Sequence, residues 1–171
     1  MSISLRKVLP FLVLVGLCSG GCTSITIKSN KDATSVRKLD RVFVLVNQGE
    51  MGKQPLSNVL IDSFRSCLSN SPVQLAFSIA SPLELDENSH LSQIEEFQPQ
   101  AVLLIRVKTF LVDEFGGYPR IVYDASLFSP KMDKRMWRAT IDNCGGTALM
   151  NKRMREMAEK IVLQLRQDGF L

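Results

Sequence analysis

Apolar positions change their period several times along this chain, and each change marks an element. Arg41-Val42-Phe43-Val44-Leu45-Val46 is a continuous β-branched and aromatic run, the pattern of a strand covered on both faces. Asn47-Gln48-Gly49 closes it. A helix is expected from about Pro55, a favoured first-turn residue. Leu56, Leu60, Phe64, Cys67 and Leu68 recur there at helical spacing and form one apolar stripe. Asn70-Ser71-Pro72 stops it. Val73, Leu75, Phe77 and Ile79 then alternate with polar or small residues, which predicts a half-buried strand. Pro82 opens a loop. Asn88 or Ser89 can cap a short helix that sets Leu91, Ile94 and Phe97 on one side before Pro99. Ala101-Val102-Leu103-Leu104-Ile105 is a second fully apolar run and so a second central strand. From Arg106 to Phe110 the alternation resumes, as for a strand that runs on past its cover.

A hairpin follows. Ile121, Tyr123, Ala125 and Leu127 share one strand face, residues 129–133 turn the chain, and Arg135, Trp137, Ala139 and Ile141 share a face on the return. On the other face Asp124 and Ser126 are placed to meet Arg138 or Thr140, each such pair contributing ~0.2–1 kcal/mol. The last element is the clearest helix. Thr147 can cap it, and Met150, Met154, Met157, Ala158, Ile161, Val162 and Leu165 repeat with helical period. Lys152, Arg153, Arg155, Glu156, Glu159, Lys160 and Arg166 fill the opposite side. Gly169 suits the left-handed position past a helix end. Helical crossovers favour parallel strands and the hairpin adds antiparallel ones. The expected fold is therefore α/β (α+β), with a mixed sheet of about five strands, two long helices and one short helix in a single domain.

The first 21 residues belong to none of this. Arg6 and Lys7 precede an apolar run over 8–17, and Ser19-Gly20-Gly21 leads to Cys22. A charged start, a short apolar run and a small-residue exit describe a signal peptide. The run is short of the roughly 20 residues that a membrane-spanning helix needs. Cys22 directly after Gly20-Gly21 resembles the processing site of bacterial lipoproteins, with Ser19 where that family usually has Leu. The resemblance implies cleavage before Cys22 and acylation of that residue, palmitate among the chains. Thr23 is not Asp, which in that family resembles sorting to the outer membrane, periplasmic face. Residues 22–38 are then expected to be a lipid anchor and tether, although Ile25 and Ile27 alternate as in a short strand. Residues 39–171 form the domain.

Removing 21 residues from 171 leaves 150, one domain by length. The leader holds two of the 21 basic residues and none of the 17 acidic ones, so 19 against 17 gives the mature chain a charge of +2. That small and scattered surplus is no nucleic-acid footprint. Cys67 and Cys144 are left in an oxidising compartment, and a disulfide between them is expected as one alternative to a free, packed Cys67.

FQPQAVLLIRV, YDASLFSPKMDKRMWRATID and MAEKIVLQLRQDGFL together resemble small envelope lipoproteins whose compact α/β domain is similar to the N-terminal domain of TolB-type periplasmic proteins. The resemblance covers about 39–171. It implies that fold and no catalytic residues.

Candidate chemistry is sparse. His90, the single histidine, has no second His or thiol at ligand spacing and reads as a surface side chain, so no metal and no other cofactor is expected. Residues 49–53 precede a helix, but the spacing is not that of a phosphate loop. The three methionines of the last helix read as core, and Trp137 as packed beneath that helix. Residues 113–119 are the best site candidate. Phe115, Gly116, Gly117 and Tyr118 set two aromatics around a glycine pivot on a loop, which suits a partner surface. The leading expectation is a non-enzymatic envelope lipoprotein that binds another envelope component. The rivals are an envelope hydrolase drawing on Glu84, Asp86, Glu87, Glu95 and Glu96, and a subunit of an export or transport assembly.

Overall fold

A computed structural model describes residues 25–47, 54–80, 89–111, 120–144 and 149–171. The elements in order are β1 (Ile25–Lys31), β2 (Arg41–Asn47), α1 (Gln54–Leu68), β3 (Gln74–Ala80), α2 (Ser89–Phe97), β4 (Ala101–Leu111), β5 (Arg120–Phe128), β6 (Arg135–Cys144) and α3 (Met150–Gln167). A 3₁₀ turn, Ala33–Ser35, is capped by Asp32, whose side chain accepts from the Thr34 amide. The strands form one sheet in the order β1-β6-β5-β4-β2-β3. β2 pairs in parallel with β3 and β4, and the remaining pairs are antiparallel. The domain is α+β, with a mixed six-stranded sheet and three helices.

The two apolar runs lie side by side as β2 and β4, and both faces of β2 are buried. Val42, Val44 and Val46 face α1 and α3, packed with Phe64, Leu103, Ile105, Tyr123, Trp137, Met154, Met157 and Ile161. Phe43 and Leu45 face α2, packed with Ile94 and Val102. The methionines of α3 are core residues, as their spacing predicts: Met154 and Met157 are fully buried.

The segment 22–38 corrects the expectation of a tether. Residues 25–31 are not a spacer but the sixth strand, and β1 runs antiparallel to β6 from Ile25 opposite Asn143 to Lys31 opposite Trp137. Ile25 is buried, and its carbonyl accepts from Lys160 Nζ. The sequence shows only two apolar residues here, and the strand is made by pairing with a partner more than a hundred positions away, which local propensity does not report.

Strand direction gives the sheet two unlike ends. β1 and β5 start, and β2, β3, β4 and β6 finish, at one end, here called the near end. α3 starts there too, since Arg153 Nη1 donates to Asn143 Oδ1 at 3.0 Å. At the far end α3 stops on Gly169, φ +87°. The Gly169 amide donates to the Arg166 carbonyl and the Phe170 amide to the Leu165 carbonyl, the paired bonds of a Schellman ending. A Cβ at Gly169 would sit 3.0 Å from Val36 Cγ1, so both backbone angle and space favour glycine.

Candidate functional site

α2 covers β2 and its neighbours. Over the second face of β5, β6 and β1 no helix packs among the described residues. The alternation of β5 and β6 puts polar residues on this open face, and Asp124 is its centre. Asp124 is 1% exposed. Arg138 Nε donates to its Oδ1 at 2.8 Å, and Arg106 Nη2 donates to its Oδ2 at 3.1 Å. Burial pushes the Asp124 carboxyl up, but the hydrogen bonds and charges of Arg138 and Arg106 outweigh it and hold it below the usual carboxylate range. Nearer the near end, Arg120 and Asp142 pair across β5 and β6, and the bond from Arg120 lowers Asp142 in turn. Ser126 is buried, and its Oγ has no partner among the described residues.

This arrangement is a poor acid/base device. A general base works best with a pKa near the operating pH and a free lone pair facing substrate. Asp124 is shifted the other way and both its oxygens are engaged. What the cluster does is fix two guanidinium groups, with Arg106 and Arg138 side chains 51% and 41% exposed, on one face of the sheet. A guanidinium is a planar set of donors that matches carboxylate or phosphate geometry.

The sequence-derived candidates fall as follows. Cys22 and Phe115, Gly116, Gly117 and Tyr118 lie outside the described residues, as do Thr147, residues 49–53, and Glu84, Asp86 and Glu87. Segment 112–119 joins the end of β4 to the start of β5, both at the near end. Glu95 and Glu96 are exposed on α2. His90 is not a free surface side chain: its Nδ1 stands 3.0 Å from Ser78 Oγ, tying α2 to β3. Trp137 is buried as expected, and its indole N–H donates to Asp168 Oδ2 at 2.7 Å.

The expected bond between Cys67 and Cys144 is not formed. Cys67 is a free thiol near the far end, where its carbonyl accepts from Arg166. Cys144 finishes β6 at the near end, and its side chain lies outside the described residues. Burial and the charge of Glu159 push the Cys67 thiol up against the opposing pull of Arg166.

Three residues of consequence are missed by the sequence pattern. Arg106 joins Asp124 only because β4 lies beside β5. Asp168 gathers Trp137 Nε1, Ser29 Oγ at 2.9 Å, Gln164 Nε2 at 3.2 Å and Lys31 Nζ at 3.6 Å. Arg153 belongs by spacing to the polar side of α3 but is buried. It flanks the methionine stripe and reaches Asn143, a polar residue on the inner face of β6.

The class that this geometry defines is a single α+β domain with a six-stranded mixed sheet, one sealed face and one half-open polar face. No protein-family model matches the chain, and no curated protein matches it. Solved structures do. The PelC dodecamer from Paraburkholderia phytofirmans is similar with a TM-score of 0.56 at 15% identity, over 86% of this chain and 99% of that one. A second crystal form of the PelC dodecamer from the same organism, carrying one substitution, gives 0.54 at 14% identity over 80% and 96%. The lipoprotein GNA1162 from Neisseria meningitidis gives 0.44 at 16% identity over 74% and 98%. At these identities the likeness to PelC is one of fold.

Proposed function

We propose that this chain is a non-catalytic lipoprotein of the bacterial cell envelope, anchored through acyl chains on Cys22 at the periplasmic face of the outer membrane, where it assembles with another envelope component. The observation that carries the reading is the junction between leader and domain. Gly20-Gly21-Cys22 ends the leader, and β1 begins at Ile25. A cleavage before Cys22 leaves the whole sheet intact and its first strand at the new terminus. The open face supports binding over catalysis, because its buried carboxylate is locked between two arginines. The fold shared with PelC, solved as a dodecamer, makes further copies of this chain the first partner to seek.

Crosslinking in intact cells, followed by recovery of the chain from the outer-membrane fraction, tests this. A ladder at multiples of the chain's own mass supports self-assembly, and one heavier species of fixed size supports a different envelope partner. A chain recovered only as a soluble monomer contradicts the proposal.

A further inference from the structure

We infer that two copies of this chain pack face to face, each seating its α2 on the uncovered part of the other's sheet. This pairing rests on the self-assembly proposed above and names its surface. Shape is the first reason. α2 covers one side of the sheet over β2 and its neighbours, and no described helix covers that side of β5, β6 and β1. The strand order β1-β6-β5-β4-β2-β3 puts covered and uncovered strands in opposite halves. The uncovered strands form a shelf beside the helix, about 10 Å between its outer strand axes. A helix with its side chains is about 10–12 Å across. A second copy, turned about a two-fold axis parallel to the strands, lays its helix on this shelf and offers its own shelf in return.

Charge is the second reason. On the shelf Lys28 stands opposite Thr140, Thr140 opposite Asp124, and Asp124 opposite Arg106 of the neighbouring β4. In the adjoining row Asn30 stands opposite Arg138, and Arg138 opposite Ser126. Ile27 and Ser29 turn to the α3 side, where Ile27 packs on the core and Ser29 donates to Asp168. Lys28 therefore projects from the shelf. It is exposed and has no ion pair among the described residues. Lys28, Arg106 and Arg138 against Asp124 give these rows a surplus of two positive charges, and the Arg120–Asp142 pair beside them adds none. α2 supplies the opposite sign. No Lys or Arg occurs between Arg65 and Arg106. Glu95 and Glu96 are exposed on α2 and have no ion pair among the described residues. Two acids on each helix thus meet a surplus of two on the facing shelf. Leu91, 47% exposed and one turn before Glu95, gives the same stripe an apolar side chain.

Two features ready the shelf for an acid. Arg106 and Arg138 both donate to the same Asp124 oxygen, so little side-chain freedom is left to lose on binding. Ser126 is 3% exposed, and its Oγ has no partner among the described residues. A buried hydroxyl without a hydrogen bond is costly, and an acceptor brought beside Arg138 supplies one.

The test uses the full-length, processed protein in detergent, sized by sedimentation over a range of concentrations. Lys28→Glu reverses the shelf, and Glu95→Lys with Glu96→Lys reverses the helix; all three positions are exposed. Each variant alone is expected to raise the dissociation concentration about tenfold or more, because it sets like charges together. Mixed in equal amounts, the two variants should pair with each other as tightly as wild type, since each contact then joins opposite charges. Melting temperatures report folding, and Glu95→Lys alone replaces the double helix variant should that one melt early. Wild-type pairing that a variant leaves unchanged overturns the inference and leaves self-assembly standing through another surface. Variants that melt like wild type but stay apart when mixed overturn it as well. A wild-type chain that stays monomeric throughout overturns the self-assembly and this pairing together.

Discussion

Among the described residues, the two ends of the sheet differ: the far end is held by a set of polar ties, and exposed apolar side chains stand at the near end. At the far end Leu39 and Phe170 are fully buried and joined by a backbone bond of 2.9 Å. Asp168 ties Trp137, Ser29, Lys31 and Gln164 together. Gln100 there accepts at its side-chain Oε1 from the Asp40 backbone amide at 2.6 Å and donates its backbone N–H to the Arg41 carbonyl. At the near end Phe110, Leu111 and Leu149 stand 42–51% exposed. Both ends carry polar ties, with Arg153 to Asn143 and Arg120 to Asp142 at the near end, but only at the far end do they converge on one carboxylate, that of Asp168.

The largest effect is expected from Trp137→Ala. Deleting a fully buried tryptophan removes its transfer free energy and leaves a cavity, about 3–5 kcal/mol by chemical denaturation. It also removes one of the donors to Asp168, which keeps Ser29, Gln164 and Lys31. A loss below ~1 kcal/mol would show that the far end is not the closure it resembles.

Asp168→Asn is expected to cost less, about 1–3 kcal/mol, because Trp137, Ser29 and Lys31 lose a charged acceptor but keep an amide oxygen. Its pH dependence carries the sign. Burial raises the Asp168 carboxyl, and bonds from Trp137, Ser29 and Gln164 with the charge of Lys31 lower it further, to a net position below the usual value. Asp124 is displaced the same way. A folded pKa below the unfolded one means that the unfolded chain binds protons first. The contribution is thus fully present above the unfolded carboxylate pKa near ~4 and fades as pH falls through the folded value. Asp168→Asn should flatten the acid limb of the stability curve. An unchanged limb would remove Asp168 from the account.

Leu111→Ser and Leu149→Ser at the near end should change stability by no more than about 0.5 kcal/mol. A larger loss would mean that these side chains serve the core. The smallest effect concerns Cys67. In the folded, unreduced protein it should alkylate slowly, its thiol raised by burial, and on unfolding it and Cys144 should both react. No reactive thiol after unfolding would restore the disulfide.

How legible all this was in the sequence follows the range of each interaction. β2 and β4 declare themselves through unbroken apolar runs, and α1 and α3 through stripes, because those signals are local. Gly169 and Trp137 are placed correctly for the same reason. β1 is not, since two isoleucines among polar residues become a strand only against β6. Asp124 is half legible: Arg138 follows from the hairpin, whereas Arg106 requires knowing that β4 lies beside it. Counting thiols suggests a bridge, but only topology shows that α1 carries Cys67 to the far end while β6 carries Cys144 to the near end.

The mass of the mature protein purified from membranes tests the central claim most directly. A lipid-anchored domain whose sheet starts three positions past the modified residue predicts a chain that begins at Cys22 and carries acyl groups on it. A chain that begins elsewhere, or begins at Cys22 with an unmodified thiol, would contradict the claim.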